Sequence, residues 1–211
     1  MPTATFTRLP QEKQERLMAA AWTEFTQVPF SEVSINRIIH QAQIPRGSFY
    51  QYFEDKNDLF LYLIDQIRDE LLKLLDEIMG RIKGDLFQMP LYLFDALVAE
   101  DGKITPRFAR DFVLLRLNVN MDIQQLFFDR AANALCPQRL LTQIAPDCLK
   151  RTDEAFVGNV FSLLVGAVGA SIAQVLYNPQ SYAARRELLV GRVDIIKNGS
   201  AAEERDGTAD E

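Results

Sequence analysis

The chain holds 211 residues, 48% of them hydrophobic and 25% charged, proportions that exclude a collagen-like, wholly disordered or disulfide-scaffold protein. At about 150 residues per domain, that length makes one large domain or a small one beside a larger one. Lys and Arg number 23 against 29 Asp and Glu, a formal charge of −6, so any surface for an anionic partner has to be local.

Apolar residues recur at three- and four-residue spacing nearly throughout and alternating strand-type runs are missing, so the expected fold class is all-α. A first helix begins near Pro10, buries Leu17, Ala20, Ala21 and Phe25, and must stop before Pro29. Two short helices follow. Ser34 can cap the first, in which Ile35, Ile38, Ile39 and Ala42 make one apolar stripe. The second, from about Pro45 to Phe53, is anchored by Phe49 and Phe53 on one face and turns Gly47 and Gln51, flanked by Ser48 and Tyr50, the other way. A fourth helix opens at Asp55, where Asp55 and Asp58 suit a capping box, and persists to about Met79. Helices are then expected at about 90–99, 106–119, 121–134 and 137–145, followed by a long one from Asp153 to Tyr177 and a last one from Pro179 to Lys197. Residues 198–211 are rich in Gly, Ala and acids without an apolar anchor and read as a disordered acidic tail.

The segment from Ala155 to Tyr177 carries no charge and is long enough to span a membrane. Its Gly, Asn, Ser and Gln content argues against that. Gly158, Ser162, Gly166 and Ala170 recur every four residues and form a ridge of small side chains that lets another helix approach closely, so the segment reads as the interface of a homodimer, with no membrane partner.

Catalytic and metal-binding chemistry is scarce. His40 is the sole histidine, and Cys136 and Cys148 form no C-x-x-C motif, so no Cys/His metal site and no cofactor are expected. Phosphate-loop, dinucleotide and nucleophile-elbow motifs are missing. The carboxylates Asp65, Asp69, Glu70, Asp76 and Glu77 read as a solvated helix face, and the chain is not expected to be an enzyme. The cysteine usage and an N-terminus without an apolar run suit the cytoplasm.

Two short helices behind a supporting helix match the helix-turn-helix plan, in which the second short helix enters the DNA major groove. From Val33 to Phe53 there are Arg37, His40 and Arg46 and no acidic residue, and Arg37 is a candidate DNA contact. Arg46 adds positive charge where a helix N-terminus already favours phosphate, and Gly47 leaves the backbone free to approach a duplex. Ser48, Tyr50 and Tyr52 offer hydroxyls to phosphates, Gln51 can pair with adenine, and Lys56 supplies a further phosphate anchor.

The run from Pro45 to Leu59, with Leu17 to Phe25, Phe30 and Ser34-Ile35-x-x-Ile38 upstream, resembles the tetracycline-repressor-like (TetR/AcrR) family of bacterial transcriptional regulators over about residues 10–60. The resemblance implies an all-helical homodimer. It implies a helix-turn-helix DNA-binding domain at 1–54, a helical effector-binding and dimerisation domain at 55–197, and DNA contacts from Ser34, Arg46, Gly47, Ser48, Tyr50, Gln51, Tyr52 and Lys56. The partners implied are a pseudo-palindromic operator in double-stranded DNA, a small-molecule effector and a second copy of the chain. The family usually has Gly where this chain has Gln43 in the turn and Pro29 after the first helix, so Gln43 is expected to need a positive φ.

The aromatic residues between Leu86 and Phe128 suggest an apolar or aromatic effector, with Phe87, Phe94, Phe108, Phe112, Arg116 and Phe127 as candidate contacts. The function expected is a ligand-responsive repressor. The alternative is a DNA-tethered adaptor whose C-terminal domain binds a protein.

Overall fold

The computed structural model describes residues 2–117, 142–145, 147–177 and 182–200, without the side chains of residues 112, 116, 117 and 174–177. The described residues form helices joined by turns, with an isolated antiparallel bridge between Val98 and Ile104. They fall into two compact units, one within Met1–Leu71 and Pro106–Arg130, the other within Leu72–Thr105 and Ala131–Glu211.

In the first unit, α1 (Ala4–Thr7) precedes α2 (Gln11–Gln27), a short 3-10 turn (Phe30–Glu32), α3 (Ile35–Ala42), α4 (Arg46–Tyr52), the start of α5 (Lys56–Arg81) and α7 (Pro106–Leu117). Pro10 immediately precedes α2 and Pro29 follows its end, as the proline positions require. All but one of the expected anchors are internal: Leu17, Ala20, Ala21 and Phe25 of α2, Ile38, Ile39 and Ala42 of α3, and Phe49 and Phe53 around α4. Ile35 is only half-buried. At α5 the Asp58 N–H donates to Asp55 Oδ1 (2.8 Å), the forward half of the expected capping box, while Asp58 Oδ2 accepts from the Glu54 N–H (3.2 Å), one residue before the cap. At about 1.5 Å per residue the 26 residues of α5 span roughly 39 Å.

The short helix α1 escaped the periodicity argument, since four residues cannot display a 3.6-residue repeat. Its Phe6 is buried, 5.0 Å from the Phe53 ring and 5.7 Å from Tyr62. Among the described residues α7 packs on α2, with the Arg110 guanidinium 3.8 Å above the Trp22 ring and Leu114 in the same core. Asp111 beside it is 2% exposed, its Oδ1 3.5 Å from Arg110 Nε and its Oδ2 without a hydrogen bond.

The second unit contains the end of α5, α6 (Met89–Leu97), α8 (Glu154–Tyr177) and α9 (Tyr182–Ser200). Helix α6 packs on both α8 and α9. Val160, Phe161, Leu164 and Val168 of α8, Leu93, Phe94 and Leu97 of α6, and Leu189 and Val193 of α9 are buried. Asp95 of α6 receives a bidentate pair from Arg186 (Nε to Oδ1, 2.9 Å; Nη2 to Oδ2, 3.1 Å) and the Tyr182 hydroxyl (2.5 Å). Burial and this bond to a carboxylate both push the Tyr182 hydroxyl above its ordinary pKa.

Two boundaries differ from expectation. The last helix continues through Ser200, whose hydroxyl donates to Ile196 O (2.5 Å), so the stretch after Lys197 begins as helix; residues 201–211 lie outside the described part. A helix over 137–145 is overturned at its end, where residues 142–145 form a turn. Gly84, at φ 80°, closes against that turn so tightly that a Cβ there would lie 2.2 Å from Gln143 O. The Ala145 N–H donates to Gly84 O (3.0 Å), pinning the segment in a non-helical path. The helix expected at 121–134 falls outside the described residues, as do 137–141.

Candidate nucleic-acid interface

Helices α3 and α4 are joined by Gln43 at φ 55°, ψ 45°, the left-handed conformation foreseen for a turn without glycine. The turn is closed from behind. The Gln43 N–H donates to His40 O (3.2 Å) and the Ile44 N–H reaches five residues back to Ile39 O (3.0 Å), satisfying carbonyls left open at the end of α3. Pro45 then starts α4 with its φ already helical, and Phe49 and Phe53, both fully buried, seat that helix on the core.

With those rings turned inward, Arg46, Gly47, Tyr50 and Gln51 are exposed and Ser48 is half-buried. Tyr50 is 48% exposed, its ring edge-on to Phe49 at 5.3 Å. A Cβ at Gly47 would meet no atom within 4 Å. The protomer therefore does not need glycine there, although an exposed helical glycine costs about 0.5–1 kcal/mol relative to alanine.

Tyr52, expected at the phosphates, is instead 8% exposed, its ring 6.2 Å from Phe6. The end of α4 is held by Thr3, whose N–H donates to Tyr52 O (3.0 Å) and whose hydroxyl donates to Gln51 O (2.5 Å). Nothing in the local pattern around Thr3 announced this contact, 48 residues away in sequence.

At the start of α3 the Ser34 side chain makes no capping bond. Glu24, buried in α2, instead holds the cap residue's own backbone: its Oε1 accepts the Ser34 N–H (2.8 Å), and both its oxygens accept from Arg37 Nε (2.8 and 2.9 Å). Arg37 Nη2 lies 2.5 Å from Glu24 Oε1 and donates to Glu32 O (2.7 Å). Burial works to raise the Glu24 pKa, but the bonds from Arg37 and Ser34 outweigh it and hold the carboxyl below its ordinary range. The stretch from Val33 to Phe53 is free of acids in sequence, yet tertiary packing brings a carboxylate from α2 to it. Lys56 is also engaged: its Nζ donates to Phe30 O (3.0 Å) and Ser31 O (3.4 Å), 4.7 Å from the Phe30 ring centre.

The candidate effector residues are dispersed. Phe87 and Phe94 are core residues of the second unit and Phe108 is a core residue of the first. Phe94 packs 5.7 Å from Tyr182, and the Lys197 ammonium lies 5.9 Å from the Phe87 ring. The side chains of Phe112 and Arg116, and all of Phe127, lie outside the described part. The first unit has a cleft of about 410 Å3 beside Trp22, lined among others by Gln14, Met18, Tyr62 and Gln66.

On α8, Gly158 is half-buried, and Ser162, Gly166 and Ala170 are exposed. Leu163 is 60% exposed on the same helix, as are Leu188 (51%) and Ile195 (75%) on α9. The stretch Glu154–Ala173 is long and apolar enough to cross a membrane, and 44% of its apolar window is buried in the protomer.

Residues 17–63 match the family described as bacterial regulatory proteins, tetR family. The chain is 29% identical over 107 residues to the transcriptional regulator AcuR of Cereibacter sphaeroides, across 51% of this chain and 48% of that protein. It is 31% identical over 103 residues to the uncharacterized HTH-type transcriptional regulator YvdT of Bacillus subtilis, across 49% and 50%. The chain thus spans about half the length of these curated relatives. Among solved structures, it is similar to a TetR family transcriptional regulator from Chloroflexus aurantiacus J-10-FL, with 27% identity, 96% of this chain and 100% of that one covered, and a TM-score of 0.51. A TetR-like transcriptional regulator from Rhodococcus sp. RHA1 shares the fold at 18% identity, with 88% and 96% covered and a TM-score of 0.55.

Proposed function

Because the chain belongs to the tetR family of bacterial regulatory proteins, we propose that it is a cytoplasmic DNA-binding transcriptional regulator, most simply a repressor, that acts by binding rather than catalysis. Two copies place their α4 helices in successive major grooves of a pseudo-palindromic operator. The observation that carries this is the outward face of α4, where Arg46, Gly47, Tyr50 and Gln51 stand exposed on a helix anchored by two fully buried rings. Gln51 reads a base edge, while Arg46, Ser48, Tyr50 and Ser34 hold phosphates. Lys56 spends two of its three N–H donors on Phe30 O and Ser31 O, and we assign the third to the backbone of the duplex.

The second copy docks on α8 and α9, over the ridge Gly158, Ser162, Gly166 and Ala170 and the exposed Leu163, Leu188 and Ile195. An apolar small molecule entering the helical unit near Phe87 and Phe94 releases the operator by binding the DNA-competent and the released conformations with different affinity.

Selection of bound fragments from random-sequence duplexes tests the proposal. The expected product is an inverted repeat, and Gln51→Ala should relax one base position per half-site at a cost of about 1–3 kcal/mol. Recovery of no enriched sequence overturns it.

A further inference from the structure

The Glu24 and Arg37 pair does more than hold the start of α3. We propose that Glu24 withholds Arg37 from the DNA backbone, lowering sequence-independent affinity so that contacts from α4 decide where the protein binds. This rests on the DNA-binding function proposed above.

Arg37 lies on α3, its side chain 56% exposed, in a stretch whose other basic side chains are His40 and Arg46. An exposed arginine so placed is ordinarily a free phosphate contact. Here Nε and Nη2 are both turned onto the Glu24 carboxylate, and Nη2 also serves Glu32 O. Glu24 is 5% exposed, and its Oε1 also accepts the Ser34 N–H, so burial and a second bond both hold the carboxylate against the guanidinium. The pair presents no net charge to a duplex. Moving Arg37 to a phosphate would strand the carboxylate, buried and stripped of its main partner, which makes that exchange unfavourable.

Salt dependence separates a withheld arginine from a working one, because each phosphate neutralised adds about 0.9 to the slope of log K against log salt. The experiment measures binding of the full-length protein to an arbitrary-sequence duplex between 0.05 and 0.2 M salt, for wild type, Arg37→Ala, Glu24→Gln and Arg46→Ala. Arg37→Ala is expected to leave the slope as in wild type, whereas Arg46→Ala lowers it by about one contact. Glu24→Gln keeps an oxygen for the Ser34 N–H but removes the charge. It should steepen the slope by about one contact, an extra 3.5-fold loss of affinity across that salt range, and raise affinity at the low-salt end.

A slope that falls by a full contact in Arg37→Ala overturns the inference, as does a folded Glu24→Gln, judged by circular dichroism, with an unaltered slope. Should either single variant fail to fold, the double variant Glu24→Gln with Arg37→Gln, which removes both charges of the pair together, decides: a slope as in wild type supports the inference and a slope lower by one contact overturns it. Wild-type protein that binds no duplex at any salt refutes the DNA-binding function itself, an outcome distinct from either slope result.

Discussion

Replacing Gln43 by glycine is a sharp test of how the turn between α3 and α4 is built. Gln43 is exposed and occupies φ 55°, ψ 45°, a conformation that costs a side-chain-bearing residue about 1–2 kcal/mol. Glycine removes that strain but enlarges the conformational freedom of the unfolded chain, which takes back about 0.4–1 kcal/mol. The net gain is about 0.5–1 kcal/mol, or roughly 1–4 °C in Tm for a chain of this size. The two bonds that close the turn come from backbone N–H groups, so they survive the change. Gln43→Ala is the control. It keeps the left-handed strain and should match wild type within a few tenths of a kcal/mol, leaving glycine ahead of alanine by about 0.5–1 kcal/mol. Urea unfolding followed by circular dichroism measures the order. Glycine equal to or below alanine would refute strain as the feature that distinguishes this turn.

Gly47→Ala should keep or slightly raise stability, by about 0.5–1 kcal/mol, since a Cβ there meets nothing within the protomer, while weakening operator binding; unimpaired binding would deny a close approach of DNA at this helix. Leu163→Glu with Ile195→Glu places charge on two side chains exposed by 60% and 75%, and sedimentation velocity should show a dimer converted to monomer with helicity retained; a persisting dimer would place the interface elsewhere. Asp111 is pushed above the ordinary aspartate pKa by burial, with Arg110 opposing and Glu70 adding to the shift. A raised acid stabilises the fold fully below its unfolded pKa, and that contribution is lost as pH rises through the folded one. The Tm advantage of Asp111→Asn over wild type should therefore grow from pH 4 to pH 7, and parallel curves would contradict the shift.

Glu24 has the opposite sign. Its lowered pKa contributes stability that is present above the ordinary glutamate value and lost as pH falls through the folded one. Acid should therefore loosen the start of α3 through this group.

Much of the first unit was legible residue by residue. Prolines at 10, 29 and 45 bound the helices because a ring fixes φ and removes a donor. The spacing of Leu17, Ala21 and Phe25, and of Phe49 and Phe53, places those side chains on one face because a helix repeats every 3.6 residues. The left-handed turn at Gln43 was expected from the resemblance alone, because the family usually has Gly there, whereas the proline and spacing arguments stand on the residues themselves. These are local rules, in which the deciding atoms lie within a few residues of one another.

What surrounds the exposed side chains obeys no such rule. Arg37 meets a carboxylate 13 residues upstream, Lys56 meets carbonyls 25 and 26 residues upstream, and the end of α4 is tied by Thr3 from 48 residues away. A sequence pattern shows that a cation faces outward, but whether its charge stays available depends on what another helix presents opposite it. Burying Glu24 and Phe6 against α3 and α4 decided that for Arg37 and Tyr52, because packing, and not chain order, sets which polar groups must satisfy each other.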